Sequence, residues 1–534
     1  MCKFLTKKDG IYLKEDNEEQ KIANYMDLKE IQYNIDNLTY KATLEYKSIN
    51  GIHKNSINRE DYLNRNNLIR LQSIGLDVTH KNVNYLVEYF RKKESLTKVK
   101  NVHSKLGFAN YDNKKIYKLH KVIGLESEYV GDFDIKPRGN KEEYISMLEN
   151  EVIGKCELEF ALISGLSAVL LAYIGEELGL DTLIIHIVGN STTGKSTALK
   201  LAISCFGYPD VKRSSLYGTY NGTNNALLKK LTGLKGVPYA LDEVSMSSTV
   251  NFTNFIYTLA NGTDKERLNK DSQLKEKETW LTTVLSNGEK SLLDSSNKNA
   301  GVQVRVIEAS NFTWTKDAEN SENINRVILK NYGHIGIEFA KYVMDINKNQ
   351  LAKEFSKIKN ELQKVLEEKS LIDGMTSRRC SKYGIILYTA NLFQDMQKCK
   401  LDIKGITNML IKIEDESIKH RSFNKSIIDY IKQYISKYTN KLQYIPNDVS
   451  NNTIKNLSKD TIGKITDKED HVEIQMDKIS FEEMIKQGGY EDKNIVLKEL
   501  KKAKFLNCEK DRFTRCRKNE LGYKEDVYVI KIKK

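Results

Sequence analysis

The stretch Gly189-Asn190-Ser191-Thr192-Thr193-Gly194-Lys195-Ser196 decides the fold of this chain. It fits the phosphate-binding loop pattern G-x-x-x-x-G-K-[ST] at every fixed position. The glycines let the backbone turn sharply and approach a phosphate group closely, because no Cβ stands in the way. Consecutive backbone N–H groups and the start of a helix then surround the oxygens of a nucleoside triphosphate. The stretch therefore predicts a loop in which Lys195 reaches the β and γ phosphates and the Ser196 hydroxyl ligates Mg²⁺.

The residues on either side of the loop support this interpretation. Residues 182–188 before it are β-branched and apolar, which is typical of a buried parallel strand. Residues 197–204 after it, beginning with Thr197, read as a helix with an apolar face. A strand, a loop and a helix in this order are the context that the motif requires. We therefore predict an α/β P-loop ATPase domain that binds ATP and Mg²⁺ through residues 189–197.

Length, charge and cysteine content narrow the class of protein. A chain of 534 residues is too long for one core, so several domains are expected. The net charge of +13 favours a polyanionic partner such as nucleic acid, with a generic basic protein as the alternative. The seven cysteines form no CxxC pair, which indicates reduced thiols in a cytoplasmic protein without a zinc site. The longest apolar run, residues 160–174, is too short to span a bilayer, so we expect a buried helix and no membrane partner.

Two further apolar runs are predicted to complete the ATPase site. Residues 236–243 end in Asp242 and Glu243, which places two carboxylates side by side at one strand end. Asp242 would hold Mg²⁺ and Glu243 would polarise the water that attacks the γ phosphate, with two solvated acids as the alternative. The next run begins at Trp280 and ends in polar residues, of which we predict Asn287 to orient water, with Ser286 as the alternative.

Three arginines are candidates for contacts to the phosphates. Arg305 lies in a short β-branched run, where an unpaired charge would be unfavourable. We predict that it is an arginine finger for the nucleotide of a neighbouring subunit, with an intrachain salt bridge as the alternative. Arg378 and Arg379 begin a helix, and we predict that Arg379 contacts the γ phosphate from a helical lid. A solvated basic helix start is the alternative for this pair.

A polar stretch between the two strands is a candidate for contacts to DNA. Residues 261–277 carry Lys265, Arg267 and Lys270. A hairpin at this position would point into the central channel of a ring, where these cations would grip a phosphate backbone. Acidic residues in the same stretch make a solvated surface loop the alternative.

The end of the chain predicts a second site for DNA. Two helical and two strand-like segments in residues 470–534 resemble a winged helix in their order. The presumed wing contains Arg512, Arg515 and Arg517, and basic wings bind duplex phosphates. Winged helices also bind proteins, which is the alternative.

Composition and periodicity divide the chain into four predicted parts. The first two are an α+β N-terminal domain (residues 1–145) and a P-loop ATPase domain with a helical lid (146–400). They are followed by a helical connector with a linker (401–469) and a winged-helix-like domain (470–534).

The order of the motifs resembles a known family. The motifs are residues 189–196, Tyr220-Asn-Gly-Thr-Asn-Asn, Leu241-Asp-Glu, Leu259-Ala-Asn-Gly-Thr-Asp-Lys-Glu-Arg, Ser286-Asn-Gly-Glu and residues 301–305. This order is similar to that of a helicase-like ATPase family of phages, plasmids and genomic islands, which is catalogued as a domain of unknown function. The family includes self-loading replicative helicases of mobile elements, and the resemblance covers about residues 1–400.

The resemblance implies an AAA+ ring, a homo-hexamer that hydrolyses ATP between subunits and moves along single-stranded DNA. The residues themselves support the ATPase and leave three functions open. The first is a replicative helicase of a mobile element. The second is a DNA-stimulated ATPase switch in phage or plasmid defence or regulation. The third is a DNA-binding initiator whose ATPase controls assembly without unwinding.

Overall fold

Three hydrophobic cores organise the part of the chain that the computed structural model describes. Their buried residues lie between 11 and 90, between 106 and 413, and between 427 and 530. The described residues are 3–15, 18–266, 268, 274, 277–296, 300–421, 423–445, 461–490, 492–518 and 523–533.

Two sheets and three helices form the first core. The elements up to residue 129 are, in chain order, β1 (Lys3–Lys7), β2 (Gly10–Glu15), β3 (Glu18–Asn24), β4 (Met26–Asn34), β5 (Thr39–Ser48), β6 (Gly51–Asn58), α1 (Arg59–Leu63), α2 (Arg65–Arg70), α3 (Val83–Leu96), β7 (Val99–His103), β8 (Leu106–Tyr111), β9 (Lys114–Lys118), β10 (Val122–Ile123) and β11 (Glu128–Tyr129). Strands β1 to β3 form an antiparallel sheet, and a second sheet has the order β11-β7-β4-β5-β6. Helix α3 packs on β4 through Leu86 and Phe90, whose spacing of four residues puts them on one helix face.

The second core holds the predicted nucleotide domain. Its elements are α4 (Lys141–Met147), α5 (Cys156–Ile174), β12 (Leu183–Val188), α6 (Lys195–Ser204), β13 (Tyr217–Thr219), α7 (Asn224–Leu231), β14 (Leu234–Lys235), β15 (Tyr239–Asp242), α8 (Thr253–Asn261), β16 (Thr283–Gly288), α9 (Ala300–Gln303), β17 (Val306–Ser310), α10 (Ala318–Ile328), α11 (Ile335–Asp345), α12 (Lys348–Glu368), α13 (Thr376–Gln397) and α14 (Ile403–Arg421). The predicted buried helix over residues 160–174 is α5. It is long and apolar enough to cross a membrane, but 94% of its most apolar window is buried inside the protein.

A five-stranded sheet positions the candidate site. Its order is β13-β15-β16-β12-β17, and every neighbouring pair is parallel. Strands β12 and β16 pair in register from Leu183 opposite Thr283 to Val188 opposite Gly288. Since all five strands run in one direction, their carboxyl ends share one edge of the sheet. The segments that follow Val188 and Asp242 therefore meet the last residues of β16 at this edge.

The hairpin of β8 and β9 joins the second core and not the first. Its residues Leu106, Phe108 and Tyr117 are buried in the second core. Strand β8 also pairs in parallel with β14, and β10-β9-β8-β14 form a four-stranded sheet. The buried cores therefore change near residue 100, whereas the domain boundary at residue 145 stays a prediction about separately folding units.

The third core belongs to the C-terminal part. Its elements are α15 (Phe423–Lys437), β18 (Leu442–Ile445), β19 (Gly463–Asp467), β20 (His471–Met476), α16 (Lys478–Gln487), α17 (Lys493–Lys502), β21 (Arg515–Lys518) and β22 (Lys524–Lys533). Its sheet has the order β18-β19-β20-β22-β21. Two helices followed by the antiparallel pair β21–β22 agree with the predicted order. Strand β19 is a difference, because it lies at the end of the segment that we predict as a linker.

Candidate nucleotide-binding site

The predicted phosphate-binding loop connects β12 to α6. Gly194 caps α6 with a φ of +82°, which L side chains rarely adopt. A Cβ at this position would lie 2.5 Å from Thr315 Oγ1, so glycine is required there. The Lys195 ammonium donates to the carbonyl oxygens of Gly189 and Asn190 at 2.8 and 2.6 Å. The lysine is thus held against the loop that precedes it, beside the first turn of α6.

A cavity of about 520 Å³ lies over this loop. One wall is the loop itself, with Ser191, Thr192, residues 194–197 and Glu243. The opposite wall consists of Thr313, residues 315–318, Ser321 and Glu322, at the start of α10. The backbone N–H of Trp314 donates to the Thr193 carbonyl at 2.8 Å and so fixes the wall to the loop.

This second wall was not predicted from the sequence. Its only local signal is Asp317, whose side chain accepts from the backbone N–H of Asn320 and caps α10. Such a cap predicts where a helix begins but not what the helix faces.

The predicted magnesium ligands and the polar residue of β16 come together at the sheet edge. Ser196 Oγ donates to Asp242 Oδ1 at 3.1 Å, and Asn287 Nδ2 donates to Ser196 Oγ at 3.3 Å. Asn287 Oδ1 accepts from the backbone N–H of Glu243 at 2.7 Å. A hydroxyl beside a carboxylate is a suitable pair of oxygen ligands for Mg²⁺. Residues from three separate motifs thus form one contiguous site.

Ser286, the alternative to Asn287, faces away from this site. Its hydroxyl lies 2.8 Å from His186 Nδ1 and 2.7 Å from the Tyr220 hydroxyl. All three side chains are buried. Successive residues of a strand point to opposite faces, so only one of the two can reach Ser196, and in this structure it is Asn287.

Glu243 has an unusual backbone conformation. Its φ of +59° is in the left-handed region, which costs a non-glycine residue about 1–3 kcal/mol. Its Oε1 accepts from the backbone N–H and the hydroxyl of Ser245, at 3.3 and 2.5 Å. The carboxylate lines the nucleotide cavity but is bonded to the turn that follows it.

Arg305 stands outside the strand in which the sequence placed it. Residues 300–303 form the short helix α9, and β17 begins only at Val306. The Arg305 guanidinium lies 4.5 Å from the centre of the Tyr257 ring, and its Nη1 donates to the Gly301 carbonyl at 2.7 Å. Among the described residues Arg305 forms no salt bridge, and its Nε has no hydrogen-bond partner.

Arg305 and the phosphate-binding loop line different cavities. A second cavity, of about 420 Å³, contains Arg305, Arg378 and Lys382 but no residue of the loop. Burial and the nearby cations lower the pKa of Lys382 to about 7. Arg305 and Lys382 are half-buried, Arg378 is exposed, and Asp181 lines the same cavity.

Arg379 is a core residue in this structure, which corrects its predicted role. Its side chain is fully buried, and Nε donates to Glu414 Oε2 at 2.9 Å. Nη1 donates to the Val306 carbonyl at 2.6 Å, and Nη2 donates to the Tyr383 hydroxyl. These partners occupy the guanidinium, so we do not retain Arg379 in the nucleotide site.

The predicted DNA contacts are only partly described. Lys265 is exposed beyond a bridge between Thr263 and Thr279, which forms the base of the polar loop. Arg267 and Lys270 lie outside the described residues.

The predicted basic wing lies on β21 and the segment before it. Arg512 and Arg517 are exposed. Arg515 is half-buried and donates to Asn507 Oδ1 at 3.0 Å. Two of the three arginines are therefore open to a partner.

Comparisons with known proteins agree with this architecture. A family model described as "Domain of unknown function (DUF927)" matches residues 4–279, and one described as "Cch helix turn helix domain" matches residues 422–534. No curated protein matches the chain. A solved structure titled "SCCmec type IV Cch - active helicase" is similar, with a TM-score of 0.78 and 22% sequence identity over 99% of this chain and 97% of that one. At this identity the likeness shows a shared fold.

Proposed function

The chain belongs to the DUF927 family, and on this premise we propose that it is an ATP-driven DNA helicase of a mobile genetic element. We assign residues 146–400 to an AAA+ ATPase domain, and the position of β12 between β16 and β17 in a parallel sheet supports this assignment. The C-terminal part would bind duplex DNA as a winged helix. The fold shared with a helicase of a mobile element supports the assignment.

The contact network of Ser196, Asp242, Asn287 and Glu243 carries the ATPase proposal. Ser196 and Asp242 would hold Mg²⁺, whose charge would offset that of the β and γ phosphates. Lys195 would donate to the same phosphates once it leaves the loop carbonyls. Glu243 would accept a proton from the attacking water, and Asn287 fixes the backbone from which that carboxylate projects.

We further propose that the site is completed by a neighbouring subunit of a homo-hexamer. Arg305 supports this, because it lines a cavity separate from its own phosphate-binding loop. A guanidinium with an unpaired Nε and no acidic partner is suited to the developing charge on a γ phosphate. Its stacking on Tyr257 would fix its direction before the neighbour binds ATP.

A subunit-mixing experiment tests this arrangement. Lys195→Ala and Arg305→Ala should each abolish ATP hydrolysis, while Arg305→Ala keeps its affinity for a fluorescent ATP analogue. An equimolar mixture should recover roughly a quarter of wild-type turnover, because a random ring has the productive order at about one interface in four. A mixture no more active than its components, under conditions where subunits exchange, would show that Arg305 serves its own chain.

A second function is favoured by the C-terminal part. The match to a helix-turn-helix domain and the exposed Arg512 and Arg517 also suit an initiator that binds an origin and uses ATP only for assembly. Such a protein would bind duplex DNA specifically without separating strands. A DNA-stimulated ATPase switch would be stimulated by single-stranded DNA, also without strand separation.

A further inference from the structure

Two adjoining cavities lie where the β8–β9 hairpin meets the ATPase domain. Their volumes are about 460 and 670 Å³, and both are lined by Lys105 and Thr232. The larger cavity also contains Lys229 and Lys230, and the smaller one contains Lys235. We call the two together the junction groove.

The groove carries an excess of positive charge. Lys105 and Lys230 are exposed and Lys235 is half-buried, and none of the three forms a salt bridge among the described residues. Three acids line the groove, of which Asp132 is exposed and the other two are paired with cations. Asp36 is paired with the buried Lys118, and Glu278 with Lys229. The unpaired lysines therefore present a positive surface to a polyanion.

Aromatic side chains lie beside these lysines. Tyr111 lines the smaller cavity at the end of β8. Burial, Asp112 and the nearby Tyr33 and Tyr40 raise the pKa of Tyr111. The rings of Tyr33 and Tyr40 are 4.8 Å apart, and Tyr40 is 40% exposed. Aromatic rings next to a basic groove are typical of sites that bind single strands, because every base can stack on a ring.

The stem of the polar loop forms one wall of the groove. Lys277, Glu278 and Thr279 line the smaller cavity, and Thr279 bridges to Thr263 at the base of the loop. A DNA strand bound by the polar loop would therefore continue into the groove.

The opposite wall is held rigidly. Asp36 Oδ2 accepts from the backbone N–H groups of Ser104 and Lys105, both at 2.7 Å. A Cβ on Gly107 would lie 1.7 Å from the Lys235 carbonyl oxygen, so the two backbones are in direct contact. The groove is thus a preformed feature of the fold and needs little ordering to bind a ligand.

We propose that the junction groove binds single-stranded DNA, with phosphates on Lys105, Lys230 and Lys235 and a base stacked on Tyr111. The inference rests on the proposed function, since it extends the path of DNA beyond the polar loop. It gives the N-terminal hairpin a role in holding the strand on which the ATPase acts.

Charge removal tests the phosphate contacts in the full-length chain. Binding of a labelled oligo-dT to the triple variant Lys105→Ala/Lys230→Ala/Lys235→Ala should weaken at least tenfold near 100 mM salt. The slope of log affinity against log salt should fall by about 2, since each single-strand phosphate contributes about 0.7. The control is Lys353→Ala/Lys357→Ala/Lys364→Ala, which removes three exposed lysines from α12 and should bind like wild type.

Tyr111 provides a second test that does not change charge. Tyr111→Ala should weaken binding roughly fivefold or more, and Tyr111→Phe should keep wild-type affinity because stacking survives. Equal losses in the two variants would contradict a stacking role.

The outcomes separate this inference from the proposed function. Lys195→Ala, which should lack hydrolysis, should still bind oligo-dT through the groove. If wild type binds single strands and the triple variant matches its control, the groove assignment is wrong while the helicase proposal stands. If the variant loses duplex and single-strand affinity equally, the groove is a duplex site and the inference fails. If the wild-type protein binds no single-stranded DNA, the proposed helicase function itself is contradicted.

Discussion

Glu243 shows at the scale of one residue how the site can be held before hydrolysis. Its carboxylate accepts two hydrogen bonds from Ser245, and its backbone is in the left-handed region. A carboxylate that is bonded in this way is less available as a base for water. Hydrogen bonds to a charged group contribute about 1.5–3 kcal/mol, which is enough to set its direction.

Ser245→Ala should therefore raise ATP turnover in the absence of DNA. Loss of the hydroxyl leaves one weak backbone contact at 3.3 Å, so Glu243 can turn towards the nucleotide. We expect kcat to rise about tenfold, in line with the lower end of this range, because the remaining backbone contact still restrains the carboxylate. Ser245→Thr keeps the hydroxyl and serves as the control in a steady-state ATPase assay. A lower kcat in Ser245→Ala than in Ser245→Thr would show that the serine supports the active position of Glu243.

A buried hydrogen-bond chain joins three elements behind the site. The Lys290 carbonyl can only accept, so His186 Nε2 on β12 carries the proton and donates to it at 2.9 Å. His186 Nδ1 then accepts from Ser286 on β16, and Ser286 accepts from Tyr220 after β13. Burial lowers the pKa of His186 from 6.5 to about 4, which keeps the ring neutral and the chain intact.

This buried hydrogen-bond chain predicts that the free energy of unfolding depends on pH. The folded pKa lies below the unfolded value, so the contribution of His186 is complete above pH 6.5 and is lost as pH falls towards 4. Between pH 7 and 5 the loss is about 2 kcal/mol. His186→Asn should be less stable at pH 7 but should lose about 2 kcal/mol less than wild type over this interval.

Urea unfolding at the two pH values measures this difference. Trp280 and Trp314 both lie in the second core, so their fluorescence reports on the unfolding of this core. Other acid-sensitive histidines are present in both proteins, so their effects on the pH dependence of stability cancel in the comparison. Identical pH dependence in the two proteins would contradict the buried neutral assignment of His186.

The same elements show what the sequence could and could not predict. Periodicity and motif spacing predicted β12, α6 and the acidic end of β15, because these signals are local. The role of Arg305 was predicted from its charge within a short apolar run, and that of Arg379 from its position at the start of a helix. Their surroundings depend on partners such as Tyr257 and Glu414, which are distant in the chain.

At the scale of the whole molecule, the second and third cores are associated with different proposed roles. The second core holds the nucleotide site, and the β8–β9 hairpin joins it to the junction groove. The third core carries the exposed arginines of the predicted wing and is matched over residues 422–534 by the helix-turn-helix model. The proposed contacts to single-stranded DNA and to double-stranded DNA thus lie on different parts of one chain. An enzyme that acts at a DNA fork requires both kinds of contact.

The boundaries between separately folding parts stay a prediction, but one segment near them differs from what the sequence predicted. Composition predicted a linker within residues 401–469, but Ile465 of β19 packs against the third core. A short edge strand with polar neighbours has the composition of a loop, and only its pairing with β20 identifies it.

Unwinding of a forked duplex by the full-length protein tests the central claim most directly. We predict strand separation with ATP and Mg²⁺ and none with the Lys195→Ala variant, whose binding to the fork should be unchanged. Hydrolysis that single-stranded DNA stimulates, without any strand separation on forks of several lengths, would contradict the claim that this protein is a helicase.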